Sequence, residues 1–272
     1  MKKRLKLLVI AAHPDDESLG MGGTLAKYAV EGVETHLITA TRGERGWFGE
    51  AADYPGPAAL GRIREAELRA AAQVLGLHRV TFFNYIDGDL DQAQPAEVIG
   101  KIVAYIRQTR PQVVVTFDPT GAYGHPDHIA ISQFASAACV AAANPAYPGL
   151  EQRPAHSVSK LYYRVSTRPL LAAYEAAFGD LVMHVDGVER RPPGWPEWSI
   201  TTQIETMAYW RQVWAAIACH RSQLPGYEGL KDLSVEHRQN LWGQEHYYRV
   251  FSLVNGGRAV EHDLFEGVRE LI

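Results

Sequence analysis

The first two thirds of the chain alternate between short apolar runs rich in β-branched residues and longer runs with helical periodicity. A strand, a crossover helix and a second strand form the repeating unit of a parallel sheet. The predicted strands cover residues 5–12, 34–41, 80–85, 112–118 and 160–166, and the predicted helices cover 23–31, 60–75, 95–109 and 126–143. This alternation predicts an α/β fold, a three-layer Rossmann-like domain with a mostly parallel twisted sheet.

The C-terminal third has a less regular pattern. Residues 191–196 are rich in proline and predict a rigid loop. An amphipathic helix is predicted over residues 203–221 and a closing strand over residues 247–254. We expect a single domain over residues 1–272, with a doubly wound core at 1–166 and a C-terminal elaboration at 167–272 that shapes the substrate pocket.

The charge balance is close to neutral, with 27 Lys and Arg residues against 31 Asp and Glu residues. The only dense basic run lies at residues 2–6, so we expect no nucleic-acid partner. The apolar run that follows it is too short for a signal peptide, and no apolar segment reaches the roughly 20 residues of a membrane span. We therefore expect a cytoplasmic protein with no membrane span, in which Cys139 and Cys219 are reduced and pack in the core.

Two short polar clusters follow predicted strands. Residues 12–17 read Ala-His-Pro-Asp-Asp-Glu, directly after the first strand, and residues 124–128 read Gly-His-Pro-Asp-His, after the fourth strand. Carboxylates packed this closely repel one another unless they reach solvent or surround a cation. In the second cluster, Pro126 suits the first turn of a helix, on which His125 and His128 would lie near the same side.

The positions of the clusters indicate a shared site. In a doubly wound sheet, ligands bind beyond the carboxyl ends of the strands where the strand order reverses, here between the first and fourth strands. The two clusters together supply the imidazoles and carboxylates that zinc prefers, and three protein ligands with one position left for water describe a catalytic site. Two histidines and one carboxylate also describe the iron site of non-haem oxygenases, so the ligand types leave the metal open.

Another class of enzyme is suggested by Gly20-Met21-Gly22-Gly23, which resembles part of a dinucleotide-binding turn. The third glycine of that fingerprint is absent, and the neighbouring acidic residues would repel a pyrophosphate. The dinucleotide interpretation is therefore rejected.

At the two polar clusters the sequence resembles the PIG-L/LmbE family of zinc-dependent N-deacetylases, whose hallmarks are Ala-His-Pro-Asp-Asp-Glu and His-x-Asp-His. The likeness extends through residues 22–24, 41–44, 64–77, 87–90 and 111–128, and it is looser at 220–223 and 245–247. The run Tyr-Gly-His-Pro-Asp-His at 123–128 is closest in style to the mycothiol-type deacetylase and amidase branch.

The resemblance implies a hydrolase that removes an N-acyl group, N-acetyl above all, from a small amino-sugar conjugate such as an N-acetylglucosaminyl compound. It assigns one zinc ion to His13, Asp16 and His128, and leaves Asp15 as the general base. Other divalent metals such as Fe²⁺ remain open. So does a non-catalytic metal-binding or sugar-binding protein of the same fold, although retention of Asp15 beside the ligands argues against it.

The remaining site residues also rest on the resemblance. His125, backed by Asp127 as an imidazolium, would stabilise the oxyanion or protonate the leaving amine, and Tyr123 could assist at the oxyanion. Arg64 and Asp87 occupy the positions that grip sugar hydroxyls in the family.

One position departs from the mycothiol-type pattern. Trp47 stands where those enzymes carry an acidic residue, so the substrate specificity of that branch is not implied for this chain. Trp47 could instead stack on a sugar or a hydrophobic aglycone. The sequence leaves the oligomeric state open, a homo-oligomer included.

Overall fold

A computed structural model describes residues 4–148 and 153–271. The strands are β1 (Lys6–Ala11), β2 (Glu34–Thr41), β3 (Arg79–Tyr85), β4 (Val113–Phe117), β5 (Lys160–Val165), β6 (Met183–Val185), β7 (Val188–Arg190), β8 (Thr202–Glu205) and β9 (Gln244–Ser252). The helices are α1 (Asp16–Val30), α2 (Pro57–Leu75), α3 (Pro95–Thr109), α4 (Gly121–Gly124), α5 (Pro126–Ala143), α6 (Arg168–Phe178), α7 (Trp210–Ile217) and α8 (Val235–Trp242).

Seven strands form one sheet in the order β3-β2-β1-β4-β5-β9-β8. The pairings from β3 to β5 are parallel, and β9 and β8 add to the far edge in antiparallel pairings. The predicted α/β fold with a mostly parallel sheet is confirmed. Because β1 pairs with β2 on one side and with β4 on the other, the strand order reverses between β1 and β4, as the sequence indicated.

The central strands are buried at nearly every position. All five residues of β4 are buried, as are all but the first residues of β1 and β2. Side chains alternate between the faces of a sheet, so continuous burial means that both faces are covered. Helix α1 packs with α2 and α7, whereas α3 packs with α5, which gives the predicted three layers.

The predicted helix over residues 203–221 is confirmed only over Trp210–Ile217 and is wrong at its start. Residues 202–205 form the edge strand β8, which pairs with β9, and the helix in this region is only α7. The strand buries Thr202 and Ile204, and its alternation of buried and exposed positions has the period of a strand. Pairing with β9 therefore outweighs the helical periodicity of the longer segment. The small β6–β7 hairpin was not predicted.

The C-terminal part of the chain is joined to α1 through Glu245. Its carboxylate accepts hydrogen bonds from the backbone N–H groups of Gly23 and Thr24, at 2.8 and 3.1 Å. A Cβ atom at Gly23 would lie 2.5 Å from Cβ of Thr206, so only glycine allows this approach. This contact accounts for the glycine at position 23, and α1 begins seven residues earlier than the sequence predicted.

Cys139 and Cys219 are both free thiols, Cys139 buried and Cys219 partly exposed. Within residues 4–148 and 153–271, we find no helix whose length and apolar character would let it cross a membrane.

Candidate metal centre

The two polar clusters meet at the carboxyl ends of β1 and β4. Nδ1 of His13 lies 3.0 Å from Nε2 of His128. Asp16 completes the group, with Oδ1 3.4 Å from Nε2 of His128 and Oδ2 3.9 Å from Nδ1 of His13. Ligands about 2.0–2.2 Å from one tetrahedral zinc ion lie about 3.3–3.6 Å apart. The separations from Nε2 of His128 are near this range, whereas the 3.9 Å separation from His13 involves the other oxygen of Asp16.

Two carboxylates orient the ring of His13. Its Nε2 lies 3.1 Å from an oxygen of Asp127 and 3.1 Å from an oxygen of Asp87. An Nε2–H group facing these acceptors leaves the lone pair of Nδ1 for a cation. Burial lowers the pKa of His13, but the two carboxylates outweigh it and raise that pKa well above its usual value. Metal binding at Nδ1 therefore competes with a proton.

The carboxylate of Asp127 does not contact His125, contrary to the expectation from sequence. It accepts hydrogen bonds from the backbone N–H groups of Gly88 and Leu90, at 2.8 and 3.1 Å, and faces His13. His125 instead caps helix α5, because its Nδ1 accepts the backbone N–H of Asp127 at 3.1 Å. Burial, assisted by His13, lowers the pKa of His125 to about 4. The ring is thus a neutral imidazole at neutral pH, not the expected imidazolium.

Two other sets of donors share His13. One adds His125 and His128, the other adds Asp87 and Asp127, and the donor atoms of each set lie within 4.8 Å of one another. The carboxylate of Asp127 is already held by two backbone N–H groups, and Nδ1 of His125 accepts a third, so only Nε2 of His125 is left as a donor from that ring. Asp16 belongs to neither set, although its Oδ1 faces His128 while its Oδ2 accepts two backbone N–H groups.

Asp15 stands beside the three candidate ligands in a strained conformation, with φ of 110°. Its Oδ2 accepts a hydrogen bond from Arg64 at 3.2 Å and one from the hydroxyl of Tyr227 at 3.3 Å. Burial raises the pKa of Asp15, although Arg64 opposes this shift. A carboxylate with a raised pKa next to a metal site is suited to accept a proton during catalysis.

Arg64 is buried next to Asp15. The guanidinium is 4% exposed and donates to the carbonyl oxygens of Gly43 and Pro14, at 2.9 and 2.6 Å, as well as to Asp15. A Cβ atom at Gly43, whose φ is +64°, would lie 2.3 Å from Nη1 of Arg64. Both terminal nitrogens are thus bound by the protein. A contact between Arg64 and sugar hydroxyls stays a prediction, and this geometry favours a role in holding the Asp15 loop.

The other predicted residues lie at different distances from the ligands. Asp87 is buried against His13, and its second oxygen accepts the backbone N–H of Arg45 at 3.1 Å. Tyr123 lies edge-on to the rings of His125 and His128, at centroid distances of 6.0 and 5.3 Å. Burial raises the pKa of Tyr123, which keeps its hydroxyl protonated.

Trp47 contacts its own loop. Its indole Nε1 donates to the carbonyl of Glu50 at 2.9 Å, and its ring lies against Tyr54 at a centroid distance of 6.2 Å. These contacts are those of an aromatic residue that stabilises a loop. Stacking of Trp47 on a substrate stays a prediction.

The buried pair Glu17 and His220, to which the sequence analysis gave no role, supports the turn at Asp15. Oε2 of Glu17 accepts the backbone N–H of Asp15 at 3.0 Å, and Oε1 lies 2.8 Å from Nε2 of His220. Burial raises the pKa of Glu17, but His220 outweighs it and the net shift is downward. The one sequence signal for this pair was the loose likeness at residues 220–223.

The chain is similar to known proteins of one family. The model of the PIG-L family, described as GlcNAc-PI de-N-acetylase, matches residues 8–139. The 1D-myo-inositol 2-acetamido-2-deoxy-alpha-D-glucopyranoside deacetylase of Rhodococcus jostii (strain RHA1) is 33% identical over 97% of this chain and 98% of its own length. The protein of the same name from Streptomyces avermitilis is 35% identical, over 97% of each chain.

A solved structure is similar over nearly the whole chain. The crystal structure of a conserved protein from Thermus thermophilus has a TM-score of 0.66 and 26% sequence identity, and the match covers 93% of this chain and 97% of that one. The likeness therefore includes the C-terminal third, where the sequence pattern was hardest to interpret.

Proposed function

This chain belongs to the PIG-L family of de-N-acetylases, and on that premise we propose that it removes the N-acetyl group from an N-acetylglucosaminyl compound by zinc-assisted hydrolysis. It is a hydrolytic N-deacetylase, as its similarity to named deacetylases over nearly the full chain supports. Zinc as the native metal and the roles of individual residues are the finer parts of the proposal.

The observation that carries the proposal is the convergence of Nδ1 of His13, Nε2 of His128 and Oδ1 of Asp16 beside the carboxylate of Asp15. A divalent cation held by the three donors supplies Lewis-acid polarisation of the amide carbonyl and lowers the pKa of the attacking water. Two nitrogens and one carboxylate oxygen, with a position left for water, are the donor set of a catalytic zinc site.

The residues around these donors supply the proton transfers. Asp15 takes a proton from the water molecule while the oxygen of that water attacks the carbonyl carbon. Tyr227 and Arg64 donate hydrogen bonds that keep the carboxylate of Asp15 in place. The C–N bond then breaks and the proton from Asp15 passes to the departing amine, while the acetic acid formed, which keeps the second water proton, ionises to acetate in solution. His125 accepts the Asp127 backbone N–H at Nδ1, so its ring proton lies on Nε2, where it can donate to the developing oxyanion.

Two relatives are named for an N-acetylglucosamine unit joined to inositol, and we propose the same class of substrate here. The C-terminal elaboration is proposed to act as part of one domain with the core. Its strands β8 and β9 continue the main sheet, its His220 contacts Glu17, and its Tyr227 donates to Asp15.

The test is a panel of N-acetylglucosamine, its inositol conjugate and N,N'-diacetylchitobiose, incubated with the zinc-loaded, the Fe²⁺-loaded (without air) and the metal-stripped protein. Release of free amine and of acetate is followed. We expect equal amounts of amine and acetate from at least one conjugate, and little from the stripped protein. No amine from any conjugate with either metal would contradict the proposed function.

A further inference from the structure

A second group of metal-ligating side chains lies away from the catalytic residues. Glu34 is the first residue of β2, His36 follows on the same face of the strand, and His78 immediately precedes β3. The backbone N–H of His78 donates to the carbonyl of Thr35 at 2.8 Å, so the two strand starts are adjacent. This group therefore lies at the amino edge of the parallel strands, whereas the catalytic residues lie at the carboxyl edge.

The donors of this group are close enough to share one ion. One donor atom from each of Glu34, His36 and His78 lies within 4.8 Å of the other two. Oε2 of Glu34 is 3.6 Å from Nε2 of His36, and the two imidazole rings have centroids 5.2 Å apart. These separations resemble those among the donors of the catalytic group.

His36 has an unused nitrogen. Its side chain is buried, and Nε2 has no hydrogen-bond partner within the described part of the chain. Nδ1, by contrast, lies 3.3 Å from the hydroxyl of Tyr105. In the tautomer that carries its proton on Nδ1 and donates it to this hydroxyl, the lone pair of Nε2 is free, which is the arrangement of a metal-ligating histidine. Burial and the nearby His78 lower the pKa of His36 to about 4, so the ring is neutral at neutral pH.

Two cations now compensate the carboxylate of Glu34. Nζ of Lys6 lies 3.3 Å from Oε2, and Nη1 of Arg4 lies 3.4 Å from Oε1. Both side chains reach solvent, with 30% and 65% of their surfaces exposed, and both are long enough to turn into water. A divalent ion at Oε2 would displace Lys6, and the positive charge of Lys6 therefore weakens metal binding.

We propose that Glu34, His36 and His78 form a second site for a borderline divalent cation such as Zn²⁺ or Ni²⁺, separate from the catalytic centre. Two imidazole nitrogens and one carboxylate oxygen suit these ions better than Mg²⁺ or Ca²⁺. Because the three ligands come from β2 and from the residue before β3, a bound ion would join the starts of the two strands. It stabilises the folded state and takes no part in hydrolysis.

The experiment measures bound zinc by elemental analysis after dialysis of the full chain against buffered zinc, together with thermal unfolding. Wild-type protein should hold one more zinc ion per chain than the His78→Ala variant, and zinc should raise its melting temperature by more. His78 is exposed, so this variant should fold. The matched control is His184→Ala, which removes an exposed histidine 3.6 Å from Glu189 and should leave the zinc content unchanged.

A further variant tests the role of charge. Lys6→Gln removes the competing ammonium group, so this protein should hold its second zinc ion at a lower free zinc concentration than wild type. Deacetylation should be the same in all of these variants. Equal zinc content in wild type and His78→Ala would overturn the proposal, as would an equal loss in His184→Ala. If no protein hydrolysed the substrate but wild type still held more zinc than His78→Ala, only the proposed function would be contradicted.

Discussion

Two buried groups of side chains both contain carboxylates, but the pKa values of these carboxylates shift in opposite directions in the two groups. In the catalytic group, burial raises the pKa of Asp15, and it raises that of Asp16 to about 7. In the Glu261 group, at the junction of β5, β8 and β9, Glu261 accepts hydrogen bonds from Lys160 and Arg249, each at 2.6 Å. Burial alone would raise the pKa of Glu261, but Lys160 and the hydrogen bonds around it hold that pKa at about 2.

The difference shows how to separate a structural ion group from a functional one. The carboxylate of Glu261 is fully compensated, since Tyr162 and Thr202 also donate to it, at 2.6 and 2.9 Å. The carboxylates of Asp15 and Asp16 have too few positively charged neighbours to offset the effect of burial on their pKa values. A divalent cation would supply the missing charge.

The largest expected effect is on catalysis, from Asp15→Asn. Loss of a general base lowers kcat by about 10²–10⁴-fold, whereas bound zinc should be unchanged because Asp15 is not a proposed ligand. Asn tolerates the positive φ of this position, so the fold should survive. Steady-state kinetics and elemental analysis check this, with the exposed Glu97→Gln as the control. Full activity of Asp15→Asn would remove the general base from the mechanism.

The complementary change, Glu261→Gln, should act on stability alone. It leaves the buried Lys160 and the partly buried Arg249 without their counter-charge, and breaking a buried ion pair lowers the free energy of unfolding by about 3–5 kcal/mol. Urea denaturation of wild type, Glu261→Gln and the exposed Glu266→Gln measures this effect. If Asp15→Asn destabilised the chain as much as Glu261→Gln does, the comparison between the two groups would fail.

A smaller effect on kcat is expected when the support behind Asp15 is removed. His220→Ala takes away the partner of Glu17 and loosens the Asp15 turn, and misplacement of a catalytic group can lower kcat by up to about 100-fold. His220→Gln keeps a donor near Oε1 of Glu17 and should recover part of the activity, with KM little changed. Equal kcat values for His220→Ala and the exposed His237→Ala would show that the support is not needed.

The smallest effect is the pH dependence of the Glu261 group. The pKa of Glu261 is depressed in the folded state, from 4.5 to about 2, so its contribution to stability is complete above about pH 4.5 and is lost as the pH falls toward 2. The difference in unfolding free energy between wild type and Glu261→Gln should therefore narrow across this interval. A difference that is constant from pH 6 to pH 2.5 would contradict the depressed pKa.

The sequence predicted the parts of the molecule that follow from local pattern. The parallel strands, the reversal of strand order between β1 and β4, and the approach of the two polar clusters all follow from runs of apolar residues and from the rules of α/β sheets. Residue roles within the clusters came from the family resemblance, because composition could not separate Asp15 from Asp16.

Other features depend on contacts between distant segments. The strand β8 forms because β9 is available to pair with it, which a window of residues around 203 does not reveal. The carboxylate of Asp127 faces His13 because the N–H groups of Gly88 and Leu90 hold it there. The contact of His220 with Glu17 joins residues far apart in the chain, and only the folded structure brings them together.

The most direct test of the metal centre is anomalous diffraction at the zinc absorption edge from crystals of the zinc-loaded protein. The geometry predicts a peak about 2.0–2.2 Å from Nδ1 of His13, Oδ1 of Asp16 and Nε2 of His128. A peak bound instead to Nε2 of His13, between Asp87 and Asp127, would contradict this assignment. So would the lack of any peak at the three donors in protein with zinc-dependent activity.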